Sequence, residues 1–176
     1  MGKARDGLRR HELIVLRKRL DDIAPITFAG HLEVTDIEPD DLRHLAAFNR
    51  RRCDSRATAR FAADRARGYA GFVARLDGDV AGFYWWADHD HPHLEPLGIR
   101  LDDRDVYGFD FYVAPEHRGD GHAVEFLHGI ETRLRERGYD RVWGYVRSDN
   151  RPARWLYAMR GYESVGEVHL RLGRMR

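Results

Sequence analysis

Cysteine is almost missing from this chain. Cys53 is the one thiol in 176 residues, which excludes an internal disulfide and any zinc site built on cysteine pairs. Net charge is missing too. Thirty Lys and Arg stand against twenty-nine Asp and Glu, a formal balance of +1, so no whole-molecule field draws the protein to nucleic acid or to an anionic membrane. No apolar run approaches the roughly 18 residues of a membrane span, and the opening Met-Gly-Lys-Ala-Arg-Asp-Gly lacks the apolar core of a secretory leader. The expectation is a cytoplasmic protein with no membrane partner. Internal repeats and low-complexity tracts are also absent, and 43% hydrophobic residues in this length suffice for one core but are short for two domains.

What is present alternates between strand and helix signals. Glu12 to Arg17 reads as a short apolar strand and His31 to Asp36 as an alternating one. Acids and a proline open a helix near Glu38 that runs to about Asn49, and a second spans about Ser55 to Arg67. Gly71–Leu76 and Val80–Ala87 flank Asp77-Gly78-Asp79 as a hairpin. A long loop, 88–105, precedes a strand from Val106 to Val113. A helix from about Asp120 to Arg137 places Ala123, Leu127, Ile130 and Leu134 on one face. Arg141–Arg147 is a strand, Asn150–Arg160 a helix, and Tyr162–Leu172 a final pair of strands bent near Gly166. The fold class is mixed α/β, a central mixed sheet with helices on both faces.

The most informative segment is Val-Ala-Pro-Glu-His-Arg-Gly-Asp-Gly-His-Ala, 113–123, where a strand runs into a glycine-bearing turn that opens a helix. A helix start offers backbone N–H groups without partners and the positive end of the peptide dipole, and glycines let the chain approach an anion closely. Gly119 and Gly121 supply that freedom, and Arg118 adds a positive charge. Asp120 reads as a helix cap within the turn.

Arg118-Gly119-Asp120-Gly121-His122-Ala123 resembles the acetyl-coenzyme A signature of the GNAT superfamily of N-acyltransferases, Arg/Gln-x-x-Gly-x-Gly/Ala. Some thirty residues on, Asn150, Ala153, Tyr157, Gly161 and Tyr162 match the same superfamily's Asn-x-x-Ala-x-x-x-Tyr-x-x-x-Gly-Phe/Tyr. The resemblance is specific from about Tyr107 to Val168. It implies a GNAT domain over residues 31–176, preceded by a 1–30 extension carrying an added edge strand. It also implies that the backbone of Gly119 to Val124 binds the coenzyme A pyrophosphate. The pantetheine arm would then lie between the 106–113 strand, bearing Phe111 and Val113, and the 141–147 strand, with Asn150 and Ala153 beside it. Tyr157 matches the tyrosine that in many GNAT enzymes protonates the departing thiolate, and acetyl-CoA would be the co-substrate, with no metal.

The acceptor amine must lose a proton, so a base or a water chain is needed. Asp110, in the strand beside the expected thioester, ranks first, ahead of Asp105 and Glu95. Direct transfer needs no enzyme nucleophile, in keeping with a lone Cys53. Asp88-His89-Asp90-His91-Pro92-His93 has the composition of a metal site, but adjacent residues in a loop preorganise no geometry, and a solvated loop is expected. Tyr84, Trp85 and Trp86 alternate across two sheet faces, and one ring is a candidate wall for an acceptor or acyl pocket. Arg50, Arg51, Arg52, Arg56, Arg60, Arg65 and Arg67 gather around the first two helices, where they either pair with Asp40, Asp41, Asp54 and Asp64 or recruit an acidic partner.

The reading is an N-acetyltransferase acting on a small-molecule or protein amine in a ternary complex. A donor on an acyl carrier protein and a non-catalytic coenzyme A-binding module stay open, and nucleic acid is the poorer fit. The last strand offers an edge through which a homodimer could form.

Overall fold

The computed structural model describes residues 10–27, 32–42, 44–45 and 57–171. Cys53, Arg50–Arg52, Arg56 and Asp54 lie outside the described residues. Seven strands form one sheet: β1 (Arg10–Arg19), β2 (Leu32–Asp36), β3 (Ala70–Leu76), β4 (Asp79–Ala87), β5 (Asp105–Val113), β6 (Arg141–Arg147) and β7 (Glu163–Arg171). Helices α1 (Ala57–Ala66), α2 (Leu94–Leu97), α3 (His122–Glu136) and α4 (Arg151–Met159) cover it, and Asp41, Leu42, His44 and Leu45 are helical as well.

Each boundary has a local cause. The β3–β4 hairpin turns on Asp77 and Gly78, both at positive φ (52° and 87°), which suits the right-handed twist of the flanking strands. Helix α3 buries Phe126, Leu127, Ile130 and Leu134 and stops before Gly138 at φ 88°. Helix α4 opens on Asn150, whose Oδ1 accepts the Ala153 N–H at 3.3 Å, with Pro152 in its first turn.

Strand order is β2-β3-β4-β5-β6-β1-β7, antiparallel throughout except between β5 and β6. Two expectations are corrected here. β1 is no edge strand: it lies between β6 and β7, pairing Leu13 with Arg147 on one side and with Val168 on the other. The run Leu13-Ile14-Val15-Leu16 carries the reason, since it is apolar at every position. Ile14 and Leu16 enter the core under α3 and α4, while Leu13 and Val15 enter the core on the opposite face. A strand buried on both faces belongs inside a sheet. The C-terminal segment is one strand instead of two, because Val15 faces Gly166 and Leu16 faces Ser164, leaving Val165 as a bulged residue.

The two cores divide the helices. Against one face pack α3 and Leu156 of α4; against the other pack Phe61 of α1, Leu94 and Leu97 of α2, Leu45 and Tyr69. The 88–105 loop is therefore structured, and α2 with Ile99 anchors it in the second core. Tyr84, Trp85 and Trp86 are all buried, Tyr84 and Trp86 in one core and Trp85 in the other.

Candidate active site

β5 and β6 part company halfway along. Their parallel ladder runs Asp105–Arg141, Val106–Val142 and Tyr107–Trp143 and pairs no residues after that. Asp105 holds the closed end. Its side chain is 1% exposed, and it accepts from Arg141 Nε at 2.7 Å and from Trp143 Nε1 at 2.9 Å. Both carboxylate oxygens are thus occupied by the fold, which makes Asp105 a structural residue, and Glu95 is exposed on α2 away from the gap.

The opening has a second cause in β5 itself. Trp85 faces Phe109 and Phe83 faces Tyr112, so Tyr84 opposes both Asp110 and Phe111. That bulge sets Asp110 at φ 53°, a left-handed conformation that aspartate tolerates better than most residues. Just before it, Gly108 leaves room for the Tyr84 phenol, whose oxygen stands where a Cβ would be.

A cavity of about 220 Å³ fills the gap. Gly108 to Phe111 form one wall, Tyr145 to Arg147 the other, and Asn150, Ala153 and Tyr157 of the α4 region close one end. Phe111, Ala153 and Tyr157 belong to the core on the α3 side, whereas Phe109 and Tyr145 belong to the opposite core. The cavity therefore joins the two faces of the sheet. Two molecules approaching from opposite sides would meet in it.

On the α3 side, Ala114 leads through a 3₁₀ turn, Pro115–His117, to Arg118 and the helix start. Gly119, Asp120 and Gly121 follow with φ of 130°, 45° and 82°. Asp120 is not the cap: Gly121 is, and no side chain caps the helix. Val124 and Glu125 N–H groups bond Gly121 O at 2.9 and 3.0 Å. Those of Gly119, Asp120, Gly121 and Ala123 have no partner among the described residues, and the space beside both glycines is open. Such an arrangement of free donors at a dipole's positive end accepts an anion such as a phosphate. Arg118 is tied back, with Nε donating to Val113 O at 3.0 Å and the guanidinium over the Tyr112 ring. His122 Nδ1 lies 3.3 Å from His117 O.

Tyr157 packs against Phe111 and Tyr162, with ring centroids 6.4 and 4.9 Å away. Burial, then the Glu131 carboxylate, push its phenol well above the usual tyrosine range, so it holds its proton at neutral pH. Burial does the same to Tyr145 across the gap.

The opposite face holds groups that the sequence did not single out together. Asp110 Oδ2 is 2.6 Å from Arg60 Nη2 of α1. Behind them, His93 Nδ1 is 3.0 Å from the Tyr107 hydroxyl, and its ring lies 6.0 Å from that of Tyr145. Burial lowers the pKa of His93, with Asp110 opposing. His91 is buried among Tyr69, Tyr107 and Phe109. Its Nδ1 accepts the His93 backbone N–H at 3.1 Å, and burial brings its pKa down to about 4. Asp88, His89, Asp90 and Pro92 are exposed, as a solvated loop would be, whereas His91 and His93 turn inward into a packed aromatic cluster, and its signal was the apolar Leu94, Leu97 and Ile99 just beyond the histidines. Of the arginine group, Arg65 donates to Ile37 O at 2.7 Å and Arg67 to Asp64 at 3.3 Å.

Among the described residues no helix is long and apolar enough to cross a membrane. Comparison with known proteins adds the family. Residues 33–162 match the model of the acetyltransferase (GNAT) family. An uncharacterized N-acetyltransferase of Mycobacterium bovis is 31% identical over 130 residues, covering 74% of each chain. A mycothiol acetyltransferase of Thermobifida fusca is 37% identical over 94 residues, 52% of this chain and 27% of that one. Among solved structures, a predicted acetyltransferase with acetyl-CoA from Clostridium acetobutylicum superposes with a TM-score of 0.53 at 19% identity, over 76% of this chain and 90% of its own. The chain spans 63% and 61% of two other solved chains that share the fold.

Proposed function

The chain belongs to the acetyltransferase (GNAT) family, and on that premise we propose that it transfers an acetyl group from acetyl-CoA to a primary amine by direct attack in a ternary complex. The observation that carries this is the cavity between β5 and β6, which is lined by Asp110 and by residues from both cores of the sheet, one of them the core of α3, the helix that the anion-binding turn opens. A gap of this size favours a short acyl group.

The donor fits the residues present. The N–H groups of Gly119, Asp120, Gly121 and Ala123 would take the pyrophosphate, with Arg118, His122 and Val113 around the turn. Phe111, Asn150 and Ala153 would line the pantetheine arm. Asn150 serves as helix cap through Oδ1, which leaves its amide N–H free to donate.

Asp110 is the proposed proton acceptor. Its carboxylate takes a proton from the acceptor ammonium, and the freed amine attacks the thioester carbon as the C–N bond forms. The attacking nitrogen then loses its second proton to solvent as the C–S bond breaks with its electron pair on sulfur, and Tyr157 gives that sulfur its phenolic proton. A tyrosine kept protonated by burial suits this step. Both side chains return to their starting state through solvent, and the net change is an amide, free coenzyme A and one released proton. The proposed acceptor is a small-molecule or protein amine, and the proposed location is the cytoplasm. β7, one of the two terminal strands of the sheet, is the proposed route to a homodimer.

Calorimetric titration with acetyl-CoA, alongside an Arg118→Glu plus Gly121→Glu variant, is the test. Binding by the parent protein and its loss in the variant is the expected result. An intact protein that binds no acetyl-CoA would overturn the proposal.

A further inference from the structure

Asp110 is not free in this structure, although it is the acidic side chain that borders the gap. Arg60 reaches across from α1 and occupies its Oδ2 at 2.6 Å. The pair stands at the mouth of the gap on the face opposite α3, with Arg60 44% and Asp110 36% exposed, so water and ligands reach both partners. Accessible ion pairs of this kind are worth little and exchange readily.

Among the described residues, neighbouring charges on this face have partners of their own. Arg147, on the β6 wall, donates to Asp149 through Nε and Nη2. Asp64, one turn from Arg60 on α1, is held by Arg67. His93, behind the pair, is kept toward its neutral form by burial. Arg60 and Asp110 thus present an accessible pair of opposite charges at this mouth of the gap, with Asp110 itself part of its lining.

We infer that this pair selects an acceptor carrying a carboxylate close to its amine, of the free α-amino acid type, and that the acceptor's own carboxylate draws Arg60 off Asp110. The inference rests on the acetyltransfer reading and names its substrate class. A simple ammonium that takes Asp110 costs the Arg60 guanidinium its ion-pair partner there and leaves it only the more distant charge of Asp64. A zwitterion exchanges one pair for two, ammonium on Asp110 and carboxylate on Arg60. The same exchange frees the second Asp110 oxygen to receive the ammonium proton, so recognition and activation become one event. Peptide N-termini and polyamines, which lack the neighbouring carboxylate, are disfavoured.

The test compares matched pairs: phenylalanine with phenethylamine, leucine with isoamylamine, and glutamate with 4-aminobutyrate. Coenzyme A release is followed for the parent protein, Arg60→Met and Arg60→Lys, and acetyl-CoA titration of all three reports on the donor site. The expected result is a kcat/KM advantage of about tenfold or more for at least one α-amino acid over its decarboxylated partner. Arg60→Met brings that ratio near unity, and Arg60→Lys restores part of it. Acetylation of plain amines without preference, or a preference that Arg60→Met leaves intact, overturns this inference alone. If acetyl-CoA does not bind or no amine is acetylated, the acetyltransfer reading falls with it.

Discussion

Lys18 of β1 places its ammonium 2.8 Å from Glu131 Oε2 of α3, with both side chains almost wholly out of solvent. Arg160, at the end of α4, joins the same carboxylate, and Lys18 also donates to Arg160 O at 2.5 Å. One buried anion thus binds two buried cations from different parts of the chain. Burial lowers the lysine's pKa, and the carboxylate beside it works the other way.

Removing the shared anion should be far worse than removing either cation, because it strands two charges in the interior. Glu131→Leu is expected to cost about 3–5 kcal/mol, the range for breaking a buried pair, whereas Lys18→Met leaves Glu131 still matched by Arg160 and costs less. Urea unfolding of both variants checks the order; equal losses would contradict it.

Gly121 caps α3 with φ of 82°, and the space beside it is open. Any residue with a Cβ there strains the backbone by about 1–2 kcal/mol and points into the anion's place. Gly121→Val should weaken acetyl-CoA binding at least tenfold with only that modest loss of stability, read by calorimetry and by denaturation. Unaltered donor binding would move the phosphate elsewhere.

Tyr157→Phe keeps the ring's packing on Phe111 and Tyr162 and removes the proton. We expect kcat to fall by roughly 100-fold, the lower range for a positioned acid, with acetyl-CoA affinity little changed. Since the phenol's pKa is raised, the parent enzyme should show no alkaline loss of kcat below about pH 10, the ordinary tyrosine value. A fall centred near pH 8 would assign the acid to another group.

His91 gives a stability prediction. Its pKa is about 4 in the folded protein against an ordinary 6.5, so between those values the unfolded chain binds the extra proton. Stability is fully present above pH 6.5 and lost as pH falls toward 4. The loss from this residue is about 2 kcal/mol at pH 4.5. Denaturant unfolding at pH 7 and 4.5 should show a smaller difference in His91→Phe than in the parent. An identical pH dependence would mean that His91 is protonated in the folded state.

Most of the sheet was legible because its signals are local. Asp77-Gly78, the apolar face of α3 and the strand-turn-helix at 113–123 each announce themselves within a few residues. The neighbours of β1 were not, since strand pairing is non-local, yet its unbroken apolar run already spoke for burial on both faces. That gives a further expectation: a chain beginning at residue 31 should fail to fold, as circular dichroism and proteolysis would show, because it leaves a gap between β6 and β7.

The site divides along the same line. Residues in contiguous motifs, from Arg118 to Ala123 and from Asn150 to Tyr157, could be named as candidates from the sequence. Arg60, His93, Tyr107 and Tyr145 come from four separate elements and converge only through the fold. Asp110 was chosen for its place in β5, but nothing local indicated its bulge or its arginine partner.

The position of β1 also sets an order of events. β2 to β5 are neighbours in the sheet in chain order and can assemble as they are made, while β1, synthesised before all of them, must wait for β6 and β7 to be flanked. Closing that distant contact carries the entropy of a loop spanning most of the chain. The far wall of the cleft is β6, so the binding gap acquires its second side only when β6 joins β5 at the Asp105–Arg141 end. Nascent chains stalled before β6 should be unable to hold acetyl-CoA.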